Sequence, residues 1–160
     1  TDSDRLLAAM ADDFVFQVTD RPGELLITVS GIVSEEAKLE APDARGRRVI
    51  IDTRGVERMN SMGVRNWIDF MDQLQSQTPD IVIRQLPPAM VSQASMITNF
   101  IGRGRIESFL SPWFCTNCEN TLEQLHGYRD DLPPAIQCPK CRAPMELDWD
   151  REAYLAFRTA

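Results

Sequence analysis

The residues of this chain best suited to chemistry are its four cysteines, which stand in two CxxC pairs, Cys115/Cys118 and Cys138/Cys141. Nineteen residues separate the pairs, a spacing typical of a zinc site with four thiolate ligands. Each CxxC turn can bring two sulfurs to one ion, and two such turns complete a tetrahedron with Zn–S bonds of about 2.3 Å. Because four thiolates leave no open coordination position, we predict a structural Zn²⁺ site.

Other chemistries fit the cysteine pairs less well. Iron also binds four sulfurs, so the ligand set alone does not separate it from zinc, and zinc is the default. Two disulfides would require an oxidising compartment, whereas no apolar leader is visible, and a redox CxxC usually stands alone. We therefore predict a cytoplasmic protein, although a sequence that begins at Thr1 leaves open that it is a fragment.

His126, the only histidine, lies between the two cysteine pairs. It could replace a ligand or support one, but four cysteines already satisfy the ion, so we predict a solvated loop histidine. No motif surrounds it, and no nucleophile or acid–base set is evident elsewhere. The sequence therefore predicts a protein without enzymatic activity.

Composition narrows the function further. The 160 residues include 43% hydrophobic ones, enough for one domain with a real core plus a small appendage. No apolar run reaches the length of about 18 residues that a membrane span needs. The net charge is −7, and the segment 112–149 carries six acids against three bases. Since phosphate binding draws on a basic face, nucleic-acid binding is disfavoured.

Hydrophobic periodicity predicts an α/β fold. The predicted strands are 14–18, 25–33, 49–51, 81–83 and 106–114; the predicted helices are 1–12, a short one from Ser34, 60–74, 87–101 and 151–157. Residues 52–59 are predicted as a loop. Strands that alternate with helices imply a largely parallel sheet. The turn at Pro22-Gly23 adds an antiparallel hairpin, so the sheet should be mixed.

The predicted organisation is a sheet domain at 1–112, a zinc ribbon at 113–149 and a C-terminal helix at 150–160. Within the ribbon we expect a knuckle at each cysteine pair, a hairpin through 122–125, a loop at 127–134 and a strand at 145–149. The strand at 106–114 runs into the first cysteine with no flexible linker. The ribbon should therefore pack against the sheet domain.

Residues 49–68, VIIDTRGVERMNSMGVRNWI, resemble the signature of the STAS domain family, the anti-sigma-factor antagonist fold. That family has a buried strand, an Asp shortly after it, and Asp-Ser-Ser-Gly or a relative at the start of a helix. The resemblance extends over roughly residues 14–112. It implies a STAS-like mixed sheet and a kinase partner that phosphorylates the serine before the glycine, so that phosphorylation controls binding.

The match breaks at the phosphoacceptor, because Met62 stands directly before Gly63. Asn60 replaces the family's Asp and is also a natural helix N-cap; Ser61, in the neighbouring position, is the alternative acceptor. We therefore predict a binding module that lacks the usual phospho-switch. Its predicted partner surface consists of Asn60, Ser61, Met62, Gly63, Asn66 and Phe70.

The resemblance and the cysteines together predict a non-enzymatic regulatory module of the STAS type with a structural four-cysteine zinc site. Its partner would be a regulatory protein such as a kinase-type anti-sigma factor, and a homodimer is left open. Two alternatives remain: a zinc-ribbon nucleic-acid or transcription-associated factor, and a STAS-like subunit of a membrane transporter complex.

Overall fold

The computed structural model describes residues 14–158, so the helix predicted at 1–12 lies outside the described residues. The first part of the chain forms five strands and two helices. These are β1 (Phe14–Arg21), β2 (Glu24–Val33), β3 (Arg48–Met59), α1 (Ser61–Gln75), β4 (Ile81–Arg84), α2 (Pro88–Met96) and β5 (Arg105–Ile106). The sheet order is β1-β2-β3-β4-β5. The β1–β2 hairpin is antiparallel and the other neighbours are parallel, which confirms a mixed sheet in an α/β fold.

The core of this sheet follows from its apolar strands. Ile27, Ile51 and Ile83 stand side by side on β2, β3 and β4 and are fully buried. A strand that is covered on both faces has a continuous apolar run in its sequence, as at 49–51 and 81–83. Against them α1 buries the stripe that its helical periodicity predicted, including Trp67, whose indole N–H donates to the Phe100 carbonyl at 2.9 Å.

Three predicted elements before β5 were wrong. The helix expected from Ser34 is a single turn, closed by the Ala37 N–H on the Ser34 carbonyl. The loop expected at 52–59 continues β3, because it pairs with β2 through two register shifts. There Gly55 faces Ser30 so closely that an added Cβ would lie 2.4 Å from the Ser30 Cβ. Finally, α2 ends at Met96, five residues before the end that its apolar pattern predicted.

A second sheet contains the cysteines. It consists of β6 (Ser108–Phe114), β7 (Thr121–Gly127), β8 (Ile136–Gln137) and β9 (Pro144–Leu147), in the order β7-β6-β9-β8. The paired strands are antiparallel. The predicted loop after β7 and the last ribbon strand are present, with bounds shifted by a few residues. The hairpin predicted through 122–125 was wrong in position, because these residues lie inside β7 and the chain reverses between β6 and β7 at the first cysteine pair.

The two sheets share a continuous stretch of chain. The single strand predicted at 106–114 was wrong, because Glu107 separates β5 in the first sheet from β6 in the second. Strand β6 starts beside the end of β4, where the Leu86 N–H bonds to the Ser108 carbonyl and the Leu110 N–H to the Leu86 carbonyl. Phe109 is buried in the core of the first sheet, whereas Trp113 is buried in that of the ribbon. A single strand therefore crosses the boundary predicted at 112/113.

The chain then returns to the first core. Helix α3 (Arg151–Leu155) and a 3₁₀ turn (Ala156–Arg158) bury Tyr154 and Phe157 in the same cluster as Phe109. The Tyr154 hydroxyl donates to the Leu110 carbonyl. The C-terminal segment thus ties β6 to α2. Among residues 14–158, no helix has both the length and the apolar character that crossing a membrane requires.

Candidate metal centre and helix-start loop

The four cysteine sulfurs converge on one point. All four Sγ atoms lie within 4.8 Å of one another. The Cys115–Cys141 and Cys118–Cys138 distances are 3.5 and 3.6 Å. A tetrahedron with bonds of about 2.3 Å has edges of about 3.8 Å, whereas a disulfide would bring two sulfurs to about 2.05 Å. The set fits a single metal ion with four sulfur ligands, as the spacing predicted.

Two matching turns build this cluster. In each, the N–H of the first cysteine bonds to the carbonyl five residues later, at Asn120 or Ala143. In each, the N–H four residues later bonds back to the carbonyl of the first cysteine. The residues that close the turns, Glu119 and Arg142, have φ angles of 65° and 66°. This left-handed conformation folds each turn tightly enough to direct both of its sulfurs inward.

Neighbouring donors stabilise anionic sulfur in the cluster. The backbone N–H groups of Cys141 and Lys140, with the thiol of Cys118, lower the pKa of Cys138 to about 6. The Asn117 side chain and the Ala143 N–H lower the pKa of Cys141. Metal binding requires thiolates, so these contacts prepare the site for a cation.

Cys118 differs from the other cysteines in its environment. The Asn120 N–H lowers its pKa, but desolvation and the three other cysteine sulfurs outweigh that contact and raise the pKa to about 12. A cation at the centre removes this penalty, because it neutralises the sulfurs that repel one another.

The centre is half enclosed by a small core. Cys115 and Cys138 are fully buried against Trp113 and Met145, whereas Cys118 is exposed. The group of candidate ligands contains no histidine. A set of four sulfur ligands without a histidine is typical of structural metal sites.

The prediction for His126 was wrong. The side chain lies on β7, only 7% exposed, and its Nε2 is 2.6 Å from the Ser111 hydroxyl. The Trp113 indole N–H donates to the same hydroxyl at 2.7 Å, and this hydroxyl donates to the Gln124 carbonyl at 3.4 Å. The direction of the Ser111–His126 contact follows the tautomer of the ring. The sequence carried no signal for this contact, because β6 and β7 bring together residues 15 positions apart.

Burial also sets the charge of His126. Desolvation lowers its pKa; Asp130 opposes this, and Arg158 adds to it. The ring is therefore neutral near pH 7 and packs against Phe109. A serine and a histidine this close invite comparison with a nucleophile and its base, but Ser111 is fully buried, so no substrate can reach it.

The loop that starts α1 is held from three sides. Asn60 is the N-cap: its Oδ1 accepts from the Gly63 N–H, and its Nδ2 donates to Glu35, both at 2.8 Å. This confirms the predicted cap. Asn66 donates to the Ser34 carbonyl at 3.3 Å. Gly63 is packed so closely that an added Cβ would lie 1.8 Å from the Val33 carbonyl oxygen.

The predicted partner surface needs two corrections. Phe70 is fully buried, with ring contacts to Phe16 and Trp67, because its position turns toward the sheet. Gly63 is also buried, against the end of β2. Ser61 and Met62 are exposed, and Met62 retains 46% of its surface.

Comparison with known proteins adds no identification. A scan against protein-family models finds no match for the chain, and a search of curated proteins finds none. The STAS resemblance of residues 49–68 therefore stays a prediction.

Proposed function

We propose that this chain is a cytoplasmic, non-enzymatic regulatory module of the STAS type, with a ribbon held by structural Zn²⁺. By the resemblance, its partner is a regulatory protein such as a kinase-type anti-sigma factor. The observation that carries the proposal is the exposed Met62, which lies in the first turn of α1, directly after the Asn60 cap and Ser61.

Met62 has the properties of a contact residue. Its backbone is held by the Asn60 cap on one side and by buried Gly63 on the other. An exposed methionine on a fixed backbone gives a partner an apolar, adaptable side chain at a constant position. Arg65, one helical turn later on the same face, is exposed and forms no ion pair with another described residue. The surface therefore suits a partner with an apolar pocket and a nearby acid.

Ser61 remains the candidate phosphoacceptor of this surface. It is exposed at the first position of α1, where free N–H groups and the helix dipole favour a phosphate. The Glu35 carboxylate accepts a hydrogen bond from Asn60, the residue directly before Ser61. At this position the carboxylate would repel a phosphate on Ser61. We therefore propose that binding does not depend on phosphorylation of Ser61.

A role without catalysis is supported by the state of the reactive side chains. Four sulfurs close the metal centre, and the Ser111–His126 pair is buried. Cys115, Cys118, Cys138 and Cys141 would hold the Zn²⁺, which supplies stability rather than an activated water. In small peptides structural zinc contributes apparent energies of about 10–16 kcal/mol.

The test is affinity capture from cells of the source organism, with quantitative mass spectrometry. The Met62→Glu variant should lose a captured regulatory protein that the wild type retains, because a charge replaces the apolar contact. A negative side chain in the first helical turn interacts favourably with the helix dipole, so the variant should remain folded. A Ser61→Ala variant should capture the same protein as the wild type, with and without ATP.

Met96→Glu is the matched control, since Met96 is 72% exposed at the end of α2 and outside this surface. It should capture the same protein as the wild type. Retention of an identical set of proteins by both glutamate variants would show that Met62 is not in the binding surface.

A further inference from the structure

An open groove lies beside the end of α2. It has a volume of about 370 Å³ and runs between the end of α2, the following segment 97–104, β5 and the turn at Tyr128. This volume is within the range of about 300–1,000 Å³ typical of small-molecule sites. None of its lining residues belongs to the cysteine cluster or to the surface around Met62.

Apolar side chains form one part of the groove wall. Ile97, Ile101 and Ile106 line it, and all three are only half buried. Phe157 and Tyr128 contribute aromatic rings, with the Tyr128 hydroxyl occupied by the Arg158 carbonyl at 3.0 Å. Half-exposed isoleucines that converge on one concave surface gain from an apolar occupant, because it removes their remaining area from water.

The rim of the groove is cationic. Arg105 and Arg129 line it, and no acidic side chain does. Arg129 is exposed and forms no hydrogen bond or ion pair with another described residue. Arg105 pairs with the Asp80 carboxylate at 3.3 Å, and Arg48 pairs with the same carboxylate at 3.0 Å. These three side chains therefore carry a net charge of about +1. Such a rim is notable in a chain whose net charge is −7.

We propose that this groove binds a small amphipathic anion, a monocarboxylate with an apolar body. The hydrocarbon or aromatic body would cover the three isoleucines, and the carboxylate would pair with the guanidinium of Arg129. Guanidinium and carboxylate match in planar, two-pronged geometry, which makes this a strong pair when partly desolvated. The three isoleucines and the cationic rim each select one end of the ligand.

The experiment is a titration of the purified full chain with octanoate, followed by the methyl signals of isotope-labelled isoleucines. Signals of Ile97, Ile101 and Ile106 should shift with one saturable curve and a dissociation constant below about 1 mM. The signal of Ile136, in the ribbon, should stay unchanged. Butyrate should bind more weakly because it covers less apolar area, and octylammonium should not saturate the same signals.

Arg129→Gln should weaken octanoate binding by at least about tenfold, since it removes a charged hydrogen-bond donor. Arg21→Gln is the matched control: this exposed arginine lies on edge strand β1, and its loss should leave the affinity unchanged. Three results would overturn the proposal: no saturation by octanoate, equal binding of octanoate and octylammonium, or equal affinity of Arg129→Gln and wild type. None of them would bear on Met62, because the groove and that surface share no residue.

Discussion

The hydroxyl of Ser111 lies 2.6 Å from Nε2 of His126, and both side chains are buried between β6 and β7. The Ser111 hydroxyl also accepts from the Trp113 indole N–H at 2.7 Å, so the contact fixes the histidine ring against β6. Around it are Phe109, Asp130 and Arg158, and desolvation outweighs the attraction of the carboxylate. The only histidine of the chain is thus a structural group whose protonation opposes folding.

Stability should therefore depend on pH through His126. Its pKa in the folded state lies below the ordinary value of 6.5, so below that pH the unfolded chain binds more protons than the folded one. The contribution of His126 to the free energy of unfolding is complete above about pH 6.5 and is lost as the pH falls through the folded pKa. Urea unfolding between about pH 8 and pH 5 measures it.

The control for this prediction is His126→Gln, whose amide can still hydrogen-bond to Ser111 but does not titrate. Protonation of the cysteines also weakens the protein at low pH, but equally in both variants. The stability difference between wild type and His126→Gln should thus shrink as the pH falls. A difference that stays constant across this range would contradict a buried, neutral His126.

Replacement of Cys138 by serine should remove the metal. Cys138 is buried, and backbone N–H groups favour its thiolate, whereas a serine hydroxyl stays protonated. Zinc affinity should fall by more than about a hundredfold, since loss of a group that merely supports a ligand costs about 10–100-fold. Metal analysis should give one ion per wild-type chain, and hydrogen exchange should show loss of protection in β7–β9 but not in β2–β4.

Thr116→Ser serves as the control, because it puts a serine inside the first CxxC turn at a position that is not a ligand. It should retain one ion per chain. One zinc ion per chain in Cys138→Ser would mean that the ligand set is wrong. Iron in the purified wild type would mean that the metal is iron and not zinc.

Glycine should stabilise the two cysteine turns. Glu119 and Arg142 hold a left-handed conformation that costs a residue with a side chain about 1–2 kcal/mol. Glycine avoids this cost but loses about 0.5–1 kcal/mol in chain entropy. Glu119→Gly and Arg142→Gly should each raise the free energy of unfolding by about 0.5–1 kcal/mol in thermal denaturation of the metal-bound protein. Thr116→Gly, at a position without positive φ, should lower it instead; a loss in all three would refute the argument.

Alanine at Gly63 should destabilise the protein, although alanine normally favours a helix by about 1 kcal/mol over glycine. The new Cβ would lie 1.8 Å from the carbonyl oxygen of Val33, a backbone atom that cannot turn away. We expect a loss of about 1–3 kcal/mol in chemical denaturation, which is typical of overpacking. Arg65→Ala, on the exposed face of the same helix, should change stability by less than about 0.5 kcal/mol. Equal stability of Gly63→Ala and wild type would mean that α1 does not press on the end of β2.

Local patterns were sufficient for several parts of this protein. The spacing of Cys115, Cys118, Cys138 and Cys141 predicted one cluster, because a CxxC turn sets its own sulfur geometry within a few residues. The short apolar runs predicted β3 and β4, and the cap at Asn60 followed from its side chain and from the helical stripe behind it. In each case the determining interactions lie within one turn or one strand.

Other features depended on distant segments. The charged residues in 52–59 hid a strand whose partner, β2, lies more than twenty positions earlier. Phe70 was predicted in the partner surface, but its ring is buried against that of Phe16 on β1. His126 became a core residue only because β6 pairs with β7 and presents Ser111 to it.

The amino-acid pattern was thus enough to predict the cluster of four cysteines and the α/β class, since both follow from chemistry repeated at short range. It did not predict that one strand, β6, would join two cores, or that the C-terminal turn would return to place Phe157 beside Ile106 in a cationic groove. Those arrangements arise from burial of apolar area between segments far apart in the chain. Such burial is non-directional and leaves no fixed spacing to read.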